Sequence, residues 1–206
     1  MPKKKAVRTP KQKRSIETKN RIKQAAARLF AENGIHNTNS NQIAEEAGTA
    51  IGSFYAYFPD KKALLLELLD EYLADHYAAI WEQAAENGFP GDLTRELVRR
   101  HVENLFRAYS KSPKFHRETH VLRYSDPDVK KLYDKDVDKE VTQIKAIIRI
   151  FEKKVKVADL DAAALVIQCA AENVAHAARL RGMRIADARL VNELTDMIYR
   201  YLVGNA

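Results

Sequence analysis

Residues 18–69 read TKNRIKQAAARLFAENGIHNTNSNQIAEEAGTAIGSFYAYFPDKKALLLELL. Ile22, Ala25, Ala26, Leu29 and Phe30 recur in it at i, i+3, i+4, i+7 and i+8, the stripe of a helix with one buried face. Asn33-Gly34 stops that helix, because glycine takes a left-handed cap without penalty, so the first helix is expected over about 15–33. A short helix follows over about 39–46, with Asn39 as cap and Gln42 completing a capping box. Gly48 turns the chain into a second short helix over about 50–57, and Pro59 prevents its continuation. Asp60 is placed to cap a fourth, long helix reaching about residue 86, with Leu64, Leu65, Leu68, Leu69, Tyr72 and Leu73 on its buried side.

The rest of the chain keeps the same period. After the break at Asn87-Gly88-Phe89-Pro90-Gly91, Asp92 is expected to cap a fifth helix whose Leu97, Val98, His101, Val102, Leu105 and Phe106 share a face. A sixth helix follows Pro113, and Ser125-Asp126-Pro127 opens a seventh to about residue 154, with proline at the first helical position. The eighth is expected over about 159–181, ending at Gly182. In the ninth, Leu190, Leu194, Met197, Ile198, Tyr201 and Leu202 form one apolar face. Strand-like alternation is missing, so the fold class is all-α with about nine helices.

The 206 residues are 46% hydrophobic, enough to fill a sizeable core, and the formal net charge is +7. The place of that charge says more than its size. Seven Lys and Arg stand in residues 1–14 with no acid among them, and the remaining 28 basic residues equal the 28 Asp and Glu. Residues 1–14 are therefore expected to be a disordered basic arm with a polyanionic partner. Cys169 is the one cysteine and cannot close an intrachain disulfide. No stretch approaches the roughly 20 apolar residues of a membrane span, and no apolar run follows the basic start as in a signal peptide. A cytoplasmic protein with no membrane partner is expected.

Two helices joined by a tight glycine turn, the second very short and followed by a proline, have the layout of a DNA-reading helix-turn-helix. The same run resembles the N-terminal domain of the TetR family of bacterial transcription regulators. The resemblance is carried by Ala25, Leu29, Phe30, Gly34, Thr38, Ile43, Ala44, Ala47, Gly48, Gly52, Phe54, Tyr55, Phe58, Lys61 and Leu64. It implies a three-helix DNA-binding domain over about 15–75, with the helix-turn-helix at about 38–57, and a helical ligand-binding and dimerisation domain over 76–206. It also implies the function: a repressor that holds a palindromic double-stranded DNA operator as a homodimer, paired through the last two helices, and is released by a small-molecule inducer. No enzyme activity and no cofactor are expected.

Thr38, Ser40 and Asn41 offer hydroxyl and amide groups at the start of the second helix, a natural phosphate clamp if they do more than cap. Tyr55 and Lys61 match family positions that contact the DNA backbone. A lysine at a helix start gains nothing from the helix dipole, which favours a functional partner for it, the DNA backbone. Thr49, Ala50, Ile51, Gly52, Ser53, Ala56 and Tyr57 are expected to face base edges, and Phe54 and Phe58 to be core. None of those seven is an Arg, Asn or Gln able to grip a base with two hydrogen bonds. Specificity is expected from methyl contacts, hydroxyls, Tyr57, water or DNA shape.

Small residues in the eighth helix, among them Ala163, Ala170, Ala171 and Ala177, suit a four-helix dimer bundle. Candidate inducer-lining residues are His101, Phe106, His120, Tyr124, Cys169, Asn173 and His176. A competing class, a helical metalloenzyme, rests on two i, i+4 pairs, His116 with His120 and Glu172 with His176. The additional carboxylates of di-iron bundles are not evident, and no phosphate loop, nucleophile elbow or HExxH stretch supports catalysis. A metal-sensing repressor would use the same pairs, but no metal is assigned.

Overall fold

A computed structural model describes residues 13–86 and 91–204. Among them the chain forms nine helices and no strand: α1 (Lys13–Asn33), α2 (Ser40–Glu46), α3 (Ile51–Tyr57), α4 (Lys61–Glu86), α5 (Arg95–Tyr109), α6 (Pro113–Leu122), α7 (Pro127–Ile150), α8 (Leu160–Arg179) and α9 (Asp187–Val203). None is long and apolar enough to cross a membrane. The expected basic arm lies outside the described residues except for Lys13 and Arg14, which already belong to α1.

The described chain divides into two compact units, one drawn from Met1–Tyr72 with Lys114–Val129, the other from Leu73–Pro113 with Lys130–Ala206. These compact units do not coincide with the expected boundary near residue 75, since α6 and the turn after it pack with the N-terminal segment. The reason is apolar and electrostatic together. Phe115 and Leu122 lie against the first core, Phe115 meets the Tyr72 ring edge-on at 5.5 Å, and Lys62 Nζ holds Asp126 at 2.8 Å and Asp128 at 2.7 Å.

The first core closes over Ile22, Phe30, Ile43, Phe54, Phe58 and Leu64, none more than 2% exposed. Its punctuation is local chemistry. Gly34 has φ +86°, where a side chain is strained, and donates its N–H to Phe30 O at 3.1 Å. Asn39 and Gln42 form the full capping box, each side chain accepting the other's backbone N–H, at 3.0 and 2.8 Å. Gly48, at φ +60°, turns α2 into α3. Asp60 accepts the Ala63 N–H at 2.7 Å and so caps α4.

In the second unit α5, α8 and α9 enclose Val102, Ala164, Ala175 and Leu194, with Ile144 and Ile148 of α7 in the same core. Thr94, not Asp92, caps α5: Thr94 Oγ1 accepts the Leu97 N–H at 3.2 Å, while Asp92 instead pairs with Lys154 Nζ at 2.6 Å. α7 gives way to turns after Ile150, short of residue 154. The alanines of α8 divide by face. Ala163 and Ala171 are buried within this unit, correcting their assignment to a dimer seam, and the outward face shows Leu165, Val166 and Cys169.

Candidate nucleic-acid interface

α2, its glycine turn and α3 stand on the first core, and burial separates the faces of α3. Phe54 and Tyr57 point inward; Ala50, Ile51 and Gly52 are exposed, Tyr55 is 52% exposed, and Ser53 and Ala56 are half-covered. Tyr57 is thus corrected from base reader to core residue. Its ring is 9% exposed and its hydroxyl shares a buried 2.9 Å hydrogen bond with Ser15 Oγ, because the residue two beyond Tyr55 turns to the opposite side of a helix. Thr49, beside the turn, is half-exposed, and Ser40 and Asn41 stand at the start of α2, half-covered and exposed.

Thr38 and Lys61 turn inward. Thr38 is 1% exposed and its hydroxyl donates to Gly34 O at 2.8 Å and Leu29 O at 3.3 Å, so it locks the α1–α2 loop and offers no hydroxyl to phosphate. Lys61 Nζ donates to Ile35 O at 2.7 Å and Thr38 O at 2.6 Å. The dipole argument pointed to a DNA partner for this lysine, whereas in the structure its ammonium is held by the loop backbone. Both residues brace the loop that leads into α2.

Two contributors went unforeseen. Ser15 holds Tyr57 and carries no sequence signal beyond its place in the first turn of α1. Arg21, exposed on α1, brings Nη1 to 3.9 Å from where a Cβ on Gly48 would lie, a cation beside the turn that leads to α3. Its i+3 and i+4 neighbours gave no hint, since the approach is through space.

The candidate inducer-lining residues are drawn from both units. His101 stacks 4.2 Å from the Trp81 ring, and burial pushes its imidazole down to about 4. Phe106 is buried beneath the Arg179 guanidinium, and buried His176 has Nε2 3.8 Å from Glu172 Oε1 and its ring 5.1 Å from Tyr109. Those three belong to the second unit. His120, half-buried, belongs to the first, its ring 5.8 Å from His116 and 5.6 Å from Tyr124. Tyr124 is 79% exposed, and Cys169 and Asn173 lie on the outward face of α8, so none of these three lines an interior. For Cys169 and Asn173, helical register read without knowing which face α8 buries could not show this.

The interior of the second unit supplies other polar groups. Gln168 Nε2 donates to Glu140 Oε2 at 3.1 Å and to Glu172 Oε2 at 3.0 Å. Burial first, then the Asp136 charge, pushes the Glu140 carboxyl up to about 8. Tyr77 lies under Lys139 Nζ at 3.4 Å and donates to Gln143 Oε1 at 3.4 Å. Burial, ahead of the Lys111 charge, lowers the His76 imidazole to about 4, and its ring meets Tyr109 edge-on at 4.3 Å. Glu140 was legible in principle, since it falls on the Tyr133, Ile144, Ile148 stripe of α7.

Two family models match the chain. The model of bacterial regulatory proteins of the tetR family matches residues 22–68, and the model of the tetracyclin repressor-like C-terminal domain matches residues 94–202, more than half of the chain. The chain belongs to the TetR family. Among curated relatives, the HTH-type transcriptional regulator YuxN of Bacillus subtilis is 33% identical over 84 residues, 41% of this chain and 29% of YuxN. The fatty acid metabolism regulator protein of the same organism is 31% identical over 81 residues, 39% of this chain and 42% of that protein. The matched stretch thus spans less than half of these relatives. Solved TetR folds match at full length. A transcriptional regulator from Saccharomonospora viridis, crystallised in complex with choline, gives TM-score 0.73 at 26% identity, covering 92% of this chain and 100% of that one. A TetR-family regulator from Mesorhizobium loti gives TM-score 0.76 at 16% identity, covering 92% and 97%.

Proposed function

We propose that this TetR-family chain is a cytoplasmic, dimeric repressor that binds a palindromic operator through α2 and α3 and is released by a small molecule held in the second unit. The observation that carries the DNA reading is the split of α3: Phe54 and Tyr57 anchor it, which leaves Ala50, Ile51, Gly52, Ser53, Tyr55 and Ala56 with no role in the first core. Tyr55, with Ser40, Asn41 and Thr49 nearby in sequence, suits phosphate and groove contacts. The test is fluorescence anisotropy on sites selected from random duplex DNA. Binding that is saturable, salt-dependent and sequence-selective supports the reading; no binding to any duplex overturns it.

The dimer face is proposed on α8 and α9. Leu165, Val166, Met197 and Tyr201 are 48%, 52%, 47% and 43% exposed in the single chain, an apolar surface that a second copy would cover. Leu165→Glu with Met197→Glu should yield monomer in sedimentation, and a persistent dimer would place the seam elsewhere.

For the effector we propose a small organic cation. The Glu172 carboxylate, joined through Gln168 to the Glu140 carboxyl, with the Tyr77 and Tyr109 rings in the same unit, is a set that suits such a ligand. The choline complex of the S. viridis regulator supports the class. Choline and larger quaternary amines should raise the melting temperature of wild type and fail with Glu172→Gln; anionic or neutral ligands alone doing so would overturn the class.

A further inference from the structure

α6 belongs by sequence to the C-terminal family model, which matches 94–202, yet Lys114–Val129 forms part of the first compact unit. It leaves the second unit's chain after Pro113 and rejoins it at Lys130. What it does there is visible at one side chain. Glu118 Oε2 accepts the Ile35 backbone N–H at 2.5 Å, while Lys61 Nζ donates to the Ile35 carbonyl at 2.7 Å. One peptide segment is held at its N–H from α6 and at its C=O from α4. Gly34 lets the carboxylate in, since a Cβ there would stand 2.8 Å from Glu118 Oε1. The loop so gripped runs directly into the Asn39 capping box and α2.

We infer that Glu118 is a positioning residue for DNA binding: through Ile35 it fixes the α1–α2 loop, and hence the placement of α2 and α3. The inference rests on the DNA-binding reading above. Glu118 touches no DNA itself. The hydrogen bond is charge-assisted and half-buried, and such bonds are the strong ones, so its loss is felt at the loop without dismantling a core built from other residues. Lys62, bridging Asp126 and Asp128, is a second pin that keeps the same segment in place.

The test compares Glu118→Leu, which keeps the stem and removes the acceptor, with Glu118→Gln, which keeps an acceptor oxygen and removes the charge. Two quantities are read in the full-length chain: hydrogen exchange of the Ile35 amide by NMR, and affinity for duplex DNA. The Leu variant should speed Ile35 exchange and weaken DNA binding, each by about tenfold, while the amides of Ile43 and Phe54 keep wild-type protection. The Gln variant should fall between the Leu variant and wild type in both, since a neutral acceptor keeps the bond without its charge assistance. Wild-type exchange and affinity in the Leu variant would overturn the assignment. So would equal loss in both variants, or loss of protection at Ile43 and Phe54 as well, which would make Glu118 a general fold residue. A wild type that binds no DNA while Ile35 exchange still depends on Glu118 would refute the functional reading and leave the contact intact.

Discussion

Replacing Lys61 with methionine separates two roles for that lysine, a phosphate contact and an internal brace. Methionine keeps most of the stem and removes the ammonium, so the change isolates the hydrogen bonds at 2.7 and 2.6 Å to Ile35 O and Thr38 O. Hydrogen bonds from a charged donor contribute about 1.5–3 kcal/mol when desolvated. Lys61 is half-exposed, and water can reach the abandoned carbonyls, so about 1 kcal/mol each is the appropriate scale. A loss of about 2 kcal/mol in a chain of this size lowers the melting temperature by about 4–8 °C. DNA affinity should fall on every sequence alike, because the loop before α2 loosens. The discriminating quantity is the slope of log K against log salt. Losing a phosphate contact reduces that slope by about 0.9, whereas losing an internal brace leaves it nearly unchanged. Calorimetric melts and anisotropy titrations across a salt series measure both. An unshifted melting temperature with a slope smaller by one phosphate would refute the brace.

Tyr55→Phe should weaken operator and random DNA about equally and leave the melting temperature unchanged, since the exposed hydroxyl supports no core contact; a changed sequence preference in binding-site selection would count against a backbone role. Tyr57→Phe and Ser15→Ala should each cost about 1 kcal/mol and be clearly non-additive in a double-mutant cycle, because they share one buried bond; full additivity would deny that bond. Removing residues 1–12 should reduce the salt slope of DNA binding without lowering the melting temperature, and an unchanged slope would show that those lysines meet no phosphate. Glu140→Gln should stabilise the protein more at pH 8 than at pH 5. The folded carboxyl titrates near 8 and the unfolded one near 4.5, so wild-type stability falls as pH rises between those values; equal gains at both pH values in thermal melts would remove the buried proton.

The core of the first unit was legible because its signals are local: the Ile22 to Phe30 stripe, the Asn39–Gln42 box and the Gly34 and Gly48 turns each act within a few residues. What escaped was set by distant partners. Thr38 and Lys61 look like phosphate ligands from their sequence positions, and only the approach of α4 to the α1–α2 loop turns them into internal braces. Glu118 lies 83 residues from Ile35, and no periodicity links them. Tyr57 was separable from Tyr55 by helical register, since it lies three residues beyond Phe54, already read as core; what escaped was Ser15, the partner of its buried hydroxyl. On α8, register groups Cys169 with Leu165 and Asn173, yet which stripe faces inward is decided by α5 and α9.

The central claim is that two copies of this chain present their α3 helices to one duplex. Selection from random double-stranded DNA with the full-length protein, followed by sequencing, tests it most directly. Enrichment of a two-fold symmetric site whose half-sites are centred about one helical turn apart, or a multiple of it, is expected. Enrichment of a single asymmetric site, or none above input, would contradict it.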